Sequence, residues 1–130
     1  MKKIVIASII TLFCLVALTQ EQGILKDSRD GKEYPTVKIG SQIWMAKNLA
    51  YKAKSGIRAW GDDMKNVEKY GYLYDWAAAQ EACPKGWHLP ADAEWKTLEL
   101  NLGMSPDEFD KNRKRAEGLG MKLKSATGWY

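Results

Sequence analysis

The side chains that could perform covalent chemistry in this chain lie in one short stretch, residues 83–95, which reads CPKGWHLPADAEW. The stretch holds His88, the one histidine of the chain, and Cys83, one of its two cysteines. A thiol and an imidazole can act as nucleophile and general base when they lie within hydrogen-bond distance and a third group orients the ring. Pro84 and Gly86 allow a tight turn between the two residues, so the sequence permits such a pair.

No oxyanion donor and no third member of a catalytic set can be identified, so we interpret the same stretch as structural. In this interpretation residues 87–89 form an extended segment that runs into a helix. His88 donates a ring N–H to a backbone carbonyl at that corner, and Trp95 covers the corner from the helix. The sequence therefore predicts no catalytic residue and a protein that is not an enzyme.

Two pairs of neighbouring carboxylates, Asp62 with Asp63 and Asp107 with Glu108, are the candidates for a metal site. Neither pair lies in the oxygen-ligand loop pattern of a calcium site. Asp107 and Glu108 suit the first turn of a helix, where the helix dipole stabilises acidic side chains. We predict no metal and no cofactor.

The first residues of the chain have the order of a secretory signal peptide. Lys2 and Lys3 precede an apolar run over residues 4–18, and a basic segment followed by an apolar one directs export. The run is shorter than the roughly 20 residues that a transmembrane helix needs. The sequence predicts a signal peptide at 1–19 and an exported domain at 20–130, without a stable membrane span in the mature chain.

After export the domain would reside in the periplasm, at the cell surface or in the medium. A lipid anchor through Cys14 is the less favoured alternative, because Phe13 precedes this cysteine and apolar residues follow it. If Cys14 is removed with the signal, Cys83 has no intramolecular disulfide partner, and free cysteines are usually buried.

The charge of the chain does not indicate a nucleic-acid partner. Removal of residues 1–19 takes away two lysines and no acid, so the net charge falls from +4 to +2. Binding to nucleic acid is expected of strongly basic surfaces. The basic run at 111–118, KNRKRAEG, is interpreted as the solvated face of a helix.

Turn and strand signals predict a β-hairpin within residues 32–49, KEYPTVKIGSQIWMAKNL. Gly40 and Ser41 form a two-residue turn between strand-forming residues, and Val37 then faces Trp44 across the pair. Asp30 and Gly31 mark an earlier tight turn, so a short strand is expected before it. Residues 51–72 have no sustained period and predict a long loop with one helical turn around 65–69.

Three helices are expected in the second half of the chain. Asp75 caps a first helix that Pro84 ends, and Trp95, Leu98 and Leu102 form the apolar stripe of a second, which Gly103 closes. Pro106 begins the third, which runs to about residue 117. Its capping box joins Ser105 to Glu108, and a hydrophobic staple joins Met104 to Phe109. MKLKS at 121–125 alternates as a half-exposed strand does.

The chain resembles the Fibrobacter succinogenes major paralogous domain, a family of exported bacterial domains. The matching blocks are DSRDGKEYPTVKIGSQIWMAKNLAY, YGYLYDWAAAQEACPKGWHLPADAEW and GMKLKSATGW, which together span residues 27–129. PKGWHLPADAEW is also similar to the GWRLPTEAEWE element of the formylglycine-generating, sulfatase-modifying enzymes. Their fold implies an α+β, C-type-lectin-like domain with short antiparallel hairpins and two to three helices.

This chain departs from the family pattern at two places. Ala91 stands where the family commonly has a Ser or Thr helix cap, so the cap is lost or passes to Asp92. The family domain also continues beyond the LKS…GW element, whereas this sequence stops at Tyr130. An incomplete domain is therefore expected.

Our main functional hypothesis is an exported, non-enzymatic binding module for an unidentified glycan or protein. Six tryptophans and six tyrosines favour wet binding surfaces, because both side chains combine an apolar body with a polar group. The candidate contact residues are Trp60, Tyr70, Tyr72 and Tyr74, for each of which core packing is the alternative. Two other functions stay open: an enzyme distantly related to the formylglycine-generating oxidases, and a truncated structural paralogue without independent activity.

Overall fold

A computed structural model of the chain describes residues 21–109 and 118–123. In these ranges the chain forms two small antiparallel sheets with helices around them, so the predicted α+β class is confirmed. The strands are β1 (Gln22–Lys26), β2 (Glu33–Ile39), β3 (Gln42–Met45), β4 (Ile57–Arg58) and β5 (Leu73–Tyr74). The helices are α1 (Asn66–Tyr70), α2 (Trp76–Ala82), α3 (Asp92–Asn101) and α4 (Leu119–Leu123). The lectin-like fold that the resemblance implies stays a prediction.

The first sheet has the strand order β1-β2-β3 and contains the predicted hairpin. Val37 is paired with Trp44, as the turn at Gly40 and Ser41 requires. The short strand expected before Asp30 is β1, which is antiparallel to β2. Turn chemistry and strand period thus specify both the sheet and its register.

Side chains of this sheet are buried on both of its faces. On one face Tyr34 is 1% exposed, and its hydroxyl oxygen accepts a hydrogen bond from the Ala50 N–H. On the other face Ile39 and Trp44 pack against a buried cluster from the helical part of the chain. That cluster consists of Leu98, Leu102, Met104 and Leu119.

The helix α3 joins the hairpin to this cluster. Leu98 and Leu102 are buried as the apolar stripe predicts, whereas Trp95 is half exposed and stacks on Trp44, with 4.9 Å between the ring centroids. Ala91 occupies the cap position and has no side-chain acceptor. The carboxylate of Glu94 accepts from the Ala91 N–H at 2.8 Å and so supplies the half of a capping box that remains.

The segment after α3 confirms one prediction and overturns another. Met104 is buried and Phe109 packs against the same cluster, as the staple predicts, although residues 106–108 form a 3₁₀ turn and residues 110–117 lie outside the described ranges. The strand predicted from residue 121 is wrong, because residues 119–123 are the helix α4. Alternation over four residues is too short to decide, and burial of Leu119 against the cluster favours the helix. Gly120 lies inside α4.

Residues 51–72 contain the predicted helical turn, α1, and one half of a second sheet that the pattern did not predict. β4 pairs with β5 across only two residues of each strand. Residues 48–51 lie beside β5, and their backbone forms a hydrogen bond there. The Leu49 carbonyl oxygen accepts from the Tyr72 N–H at 3.0 Å. Among the described residues, no helix combines the length and apolar character that crossing a membrane requires.

Candidate functional site

Cys83 and His88 have separate partners. The Cys83 thiol lies at the end of α2, 3.9 Å from the Ala79 carbonyl oxygen, and burial raises its pKa. The His88 ring is 69% exposed, and its Nε2 lies 2.7 Å from Oε1 of Glu94. A nucleophilic cysteine needs a stabilised thiolate, and the surroundings of Cys83 act in the opposite direction.

The corner before α3 is built differently from the prediction. His88 was expected to bond to a backbone carbonyl, and the structure pairs it with the Glu94 carboxylate instead. The Glu94 carboxylate accepts from the Ala91 N–H and also contacts His88. Both contacts hold the pKa of this carboxyl below the usual range, and the bond from Ala91 has the larger effect. Trp95 was expected to cover the corner and instead lies on Trp44.

The four predicted contact residues differ in how much surface they present. Trp60 is 61% exposed, while Tyr70, Tyr72 and Tyr74 are half-buried. The Tyr74 hydroxyl donates to the Tyr51 carbonyl oxygen at 2.7 Å, and burial raises its pKa far above the usual range. Tyr72 and Tyr74 lie edge to face, with 6.3 Å between ring centroids. Tyr74 thus serves the fold, and Trp60 is the exposed member of the set.

The backbone beneath Trp60 is fixed although its indole is exposed. The Trp60 carbonyl oxygen accepts from the side-chain amide of Asn66 at 2.9 Å and from the Asp63 N–H at 3.4 Å. The 3₁₀ turn Trp60–Asp62 is thereby tied to the first residue of α1. An exposed aromatic ring on a fixed backbone is a suitable contact surface, because little freedom is lost when it binds.

A cleft of about 440 Å³ lies between residues 51–55 and α2, and we name it the α2 cleft. Its charged lining side chains are Arg29, Lys54, Asp75 and Glu81. A volume of this size suits a small ligand, since binding pockets typically measure 300–1,000 Å³.

Arg29 forms a rigid part of the cleft lining. Its Nε and Nη2 donate to the two carboxylate oxygens of Asp27 at 2.9 and 2.7 Å, and Nη2 also donates to the Ala82 carbonyl oxygen at 2.8 Å. The guanidinium lies 3.6 Å from the centroid of the Tyr51 ring, which also lines the cleft. Arg29 therefore joins the β1–β2 turn, the end of α2 and residue 51.

The other charged groups of the α2 cleft are available to a ligand. Lys54 and Glu81 make no ion pair or hydrogen bond with any residue in the described ranges. Asp75 uses one carboxylate oxygen to cap α2, accepting from the Ala78 N–H at 2.9 Å, and its second oxygen is unbonded there. Unlike Arg29 and Asp75, the side chains of Lys54 and Glu81 contribute no polar contact to the part of the fold that the structure describes.

Sequence reasoning missed the α2 cleft and Trp76. Trp76 begins α2 and is 71% exposed. The signal that could have found it is the helical period: Trp76 and Gln80 share a face that excludes the buried Ala82.

Metal-binding residues do not cluster in the part of the chain that the structure describes. No group of three or more histidine, cysteine, aspartate or glutamate side chains lies close enough there to hold an ion. The candidate pairs Asp62 with Asp63 and Asp107 with Glu108 belong to no such group.

Comparison with known protein families identifies the family of this chain. The sequence model of the Fibrobacter succinogenes major domain matches residues 37–130, which is more than two thirds of the chain. No curated protein and no solved structure matches the chain.

Proposed function

This chain belongs to the Fibrobacter succinogenes major domain family, and on that premise we propose that it is an exported, non-enzymatic binding module. The observation that supports binding is the α2 cleft, where Lys54 and Glu81 make no ion pair or hydrogen bond with any residue that the structure describes. Charged side chains of both signs beside a cavity are what a polar ligand needs for recognition. The basic and apolar order of residues 1–19 supports export.

The test of this function begins with the full chain, expressed in a bacterial host with its own first residues. We expect the product to leave the cytoplasm with a mass that corresponds to a cut near Thr19. A folded sample, verified by a cooperative thermal melt, is then screened on arrays of glycans and bacterial surface proteins. Saturable binding to at least one class is expected, and a folded protein that binds nothing on either array would contradict the proposal.

The competing enzyme hypothesis depends on a reactive thiol at Cys83. Because burial raises the pKa of this thiol, we expect iodoacetamide to modify Cys83 more slowly in the native protein than in the same protein unfolded in urea. Peptide mass spectrometry distinguishes Cys83 from any remaining Cys14. A native Cys83 that reacts faster than the unfolded one would indicate an activated nucleophile and favour the enzyme.

A further inference from the structure

We propose that the α2 cleft binds a neutral saccharide. This inference rests on the proposed binding function and specifies its ligand class. It depends on three features: the charge balance of the cleft, the alanine methyl groups in its lining, and the exposed Trp76 on the neighbouring face of α2.

The charge balance disfavours ligands that carry net charge. Two cations, Arg29 and Lys54, and two carboxylates, Asp75 and Glu81, line the cleft, and the Arg29 charge is already compensated by Asp27 behind it. An anionic ligand would therefore meet uncompensated carboxylates, and a cationic one would meet Lys54. A neutral polyol can form hydrogen bonds with side chains of both charges, because each hydroxyl group can donate to a carboxylate and accept from an ammonium group.

The lining of the cleft combines apolar and charged groups. Ala53, Ala77 and Ala78 are among its lining residues, and each has a single methyl group. A sugar ring has an apolar face of C–H groups and a periphery of hydroxyl groups. A lining with both methyl and charged groups matches that distribution, whereas a free amino acid would need two charged contacts and no apolar surface.

Trp76 extends the surface beyond the cleft. Successive residues of a helix are turned by about 100°, so Trp76 lies on the face of α2 next to that of Ala77. Ala77 is exposed and has only a methyl group, so it does not obstruct a ligand that crosses from the cleft to the exposed indole. The expected ligand is therefore longer than one sugar unit, with a second unit stacked on Trp76.

The inference is tested by calorimetric titration of the exported protein with maltotriose, cellotriose, xylotriose and mannotriose. At least one trisaccharide is expected to bind. Lys54→Ala and Glu81→Ala should each weaken that binding by about tenfold or more, because each removes a hydrogen bond to a charged group. Neither change should alter the thermal melt, since both side chains lack partners in the described fold.

Matched controls separate the cleft from the surface around it. Lys52→Ala and Glu68→Ala remove exposed side chains of the same types that do not line the cleft, and they should leave the affinity unchanged. Trp76→Ala should weaken binding of the trisaccharide more than binding of the matching monosaccharide. Affinity should also be the same at low and high salt, because a neutral ligand forms no ion pair.

The outcomes distinguish this inference from the function on which it rests. Trisaccharide binding that is lost with Trp60→Ala but not with Lys54→Ala or Glu81→Ala would overturn the inference and leave the binding function intact. The same conclusion follows if the array ligand is a protein, or if glycine or another free amino acid binds with salt-dependent affinity. A folded protein that binds no array member and no saccharide would overturn both.

Discussion

Replacement of Arg29 by alanine is expected to lower the free energy of unfolding by about 3 kcal/mol. Asp27 is 1% exposed, and Arg29 is its charged partner at 2.7 Å. Without the guanidinium, Asp27 is left as a buried charge, and removal of one partner of a buried pair typically costs about 3–5 kcal/mol. We take the low end because the Arg29 side chain is itself partly exposed. The Ala82 carbonyl oxygen at the end of α2 also loses a donor.

Urea titration of the native protein and the Arg29→Ala variant measures this cost. Lys26→Ala is the control, because Lys26 and Glu33 form an exposed ion pair in the same sheet and such pairs contribute less than about 1 kcal/mol. An Arg29→Ala variant no less stable than Lys26→Ala would contradict the buried-pair interpretation. Arg29 also lines the α2 cleft, so this variant is a test of stability and not of binding.

The same pair gives the protein an acid-sensitive contribution to stability. The hydrogen bond from Arg29 is the main reason that the pKa of Asp27 lies below its usual value of 3.8. A lowered folded-state pKa stabilises the protein above the unfolded value, and the contribution is lost as pH falls through the folded value. In Arg29→Ala the Asp27 carboxylate loses the guanidinium but keeps the hydrogen bond from the backbone N–H of residue 29, so its pKa is higher than in the native protein. The difference between the two proteins should therefore shrink below about pH 4.

Replacement of Gly71 by alanine is expected to lower the free energy of unfolding by a similar amount, about 3 kcal/mol or more, for a different reason. Gly71 has φ +70° and ψ −166°, a backbone region that is essentially restricted to glycine. An added Cβ would lie 2.5 Å from the Leu49 carbonyl oxygen and 2.9 Å from the Asn48 Cβ. The Leu49 oxygen accepts from the Tyr72 N–H, so relief of the contact separates residues 48–51 from β5.

A second glycine provides the matched control for this prediction. Gly86 also has positive φ, +84°, but an added Cβ there meets no atom of residues 21–109 or 118–123 within 4 Å. Gly86→Ala should therefore cost only the conformational strain, about 1–2 kcal/mol. Equal costs for the two alanine variants in urea titrations would show that the approach of Leu49 does not matter.

Local sequence patterns were sufficient to predict part of this fold. The hairpin and its register follow from a two-residue turn and alternating strands, and α2 follows from Asp75 and Pro84, which lie next to it in sequence. The two-residue strands β4 and β5 have no period to detect and exist through their mutual pairing. The helix α4 depends on burial of Leu119, which the alternation of its residues does not indicate.

The candidate site was harder to predict than the fold for a related reason. The sequence predicts Trp60 as a contact residue because it is an aromatic residue in an irregular segment, and it is exposed as that prediction requires. The α2 cleft combines Arg29 with residues 51–55 and with α2, and only tertiary structure brings these segments together. Its alanines and charged side chains form no sequence motif. That Lys54 and Glu81 have no polar partner among the described residues is a property of the folded chain.

The contact of Arg29 with α2 also bears on the order in which the chain folds during synthesis. The β1-β2-β3 meander needs nothing beyond residue 45 for its pairing, so its contacts are local and form early. The bond from Arg29 to the Ala82 carbonyl oxygen spans 53 residues and must wait until α2 has been made. Asp27 and Arg29 can meet within the meander, and α2 then closes on a preformed pair. The late step in folding is thus the step that assembles the α2 cleft.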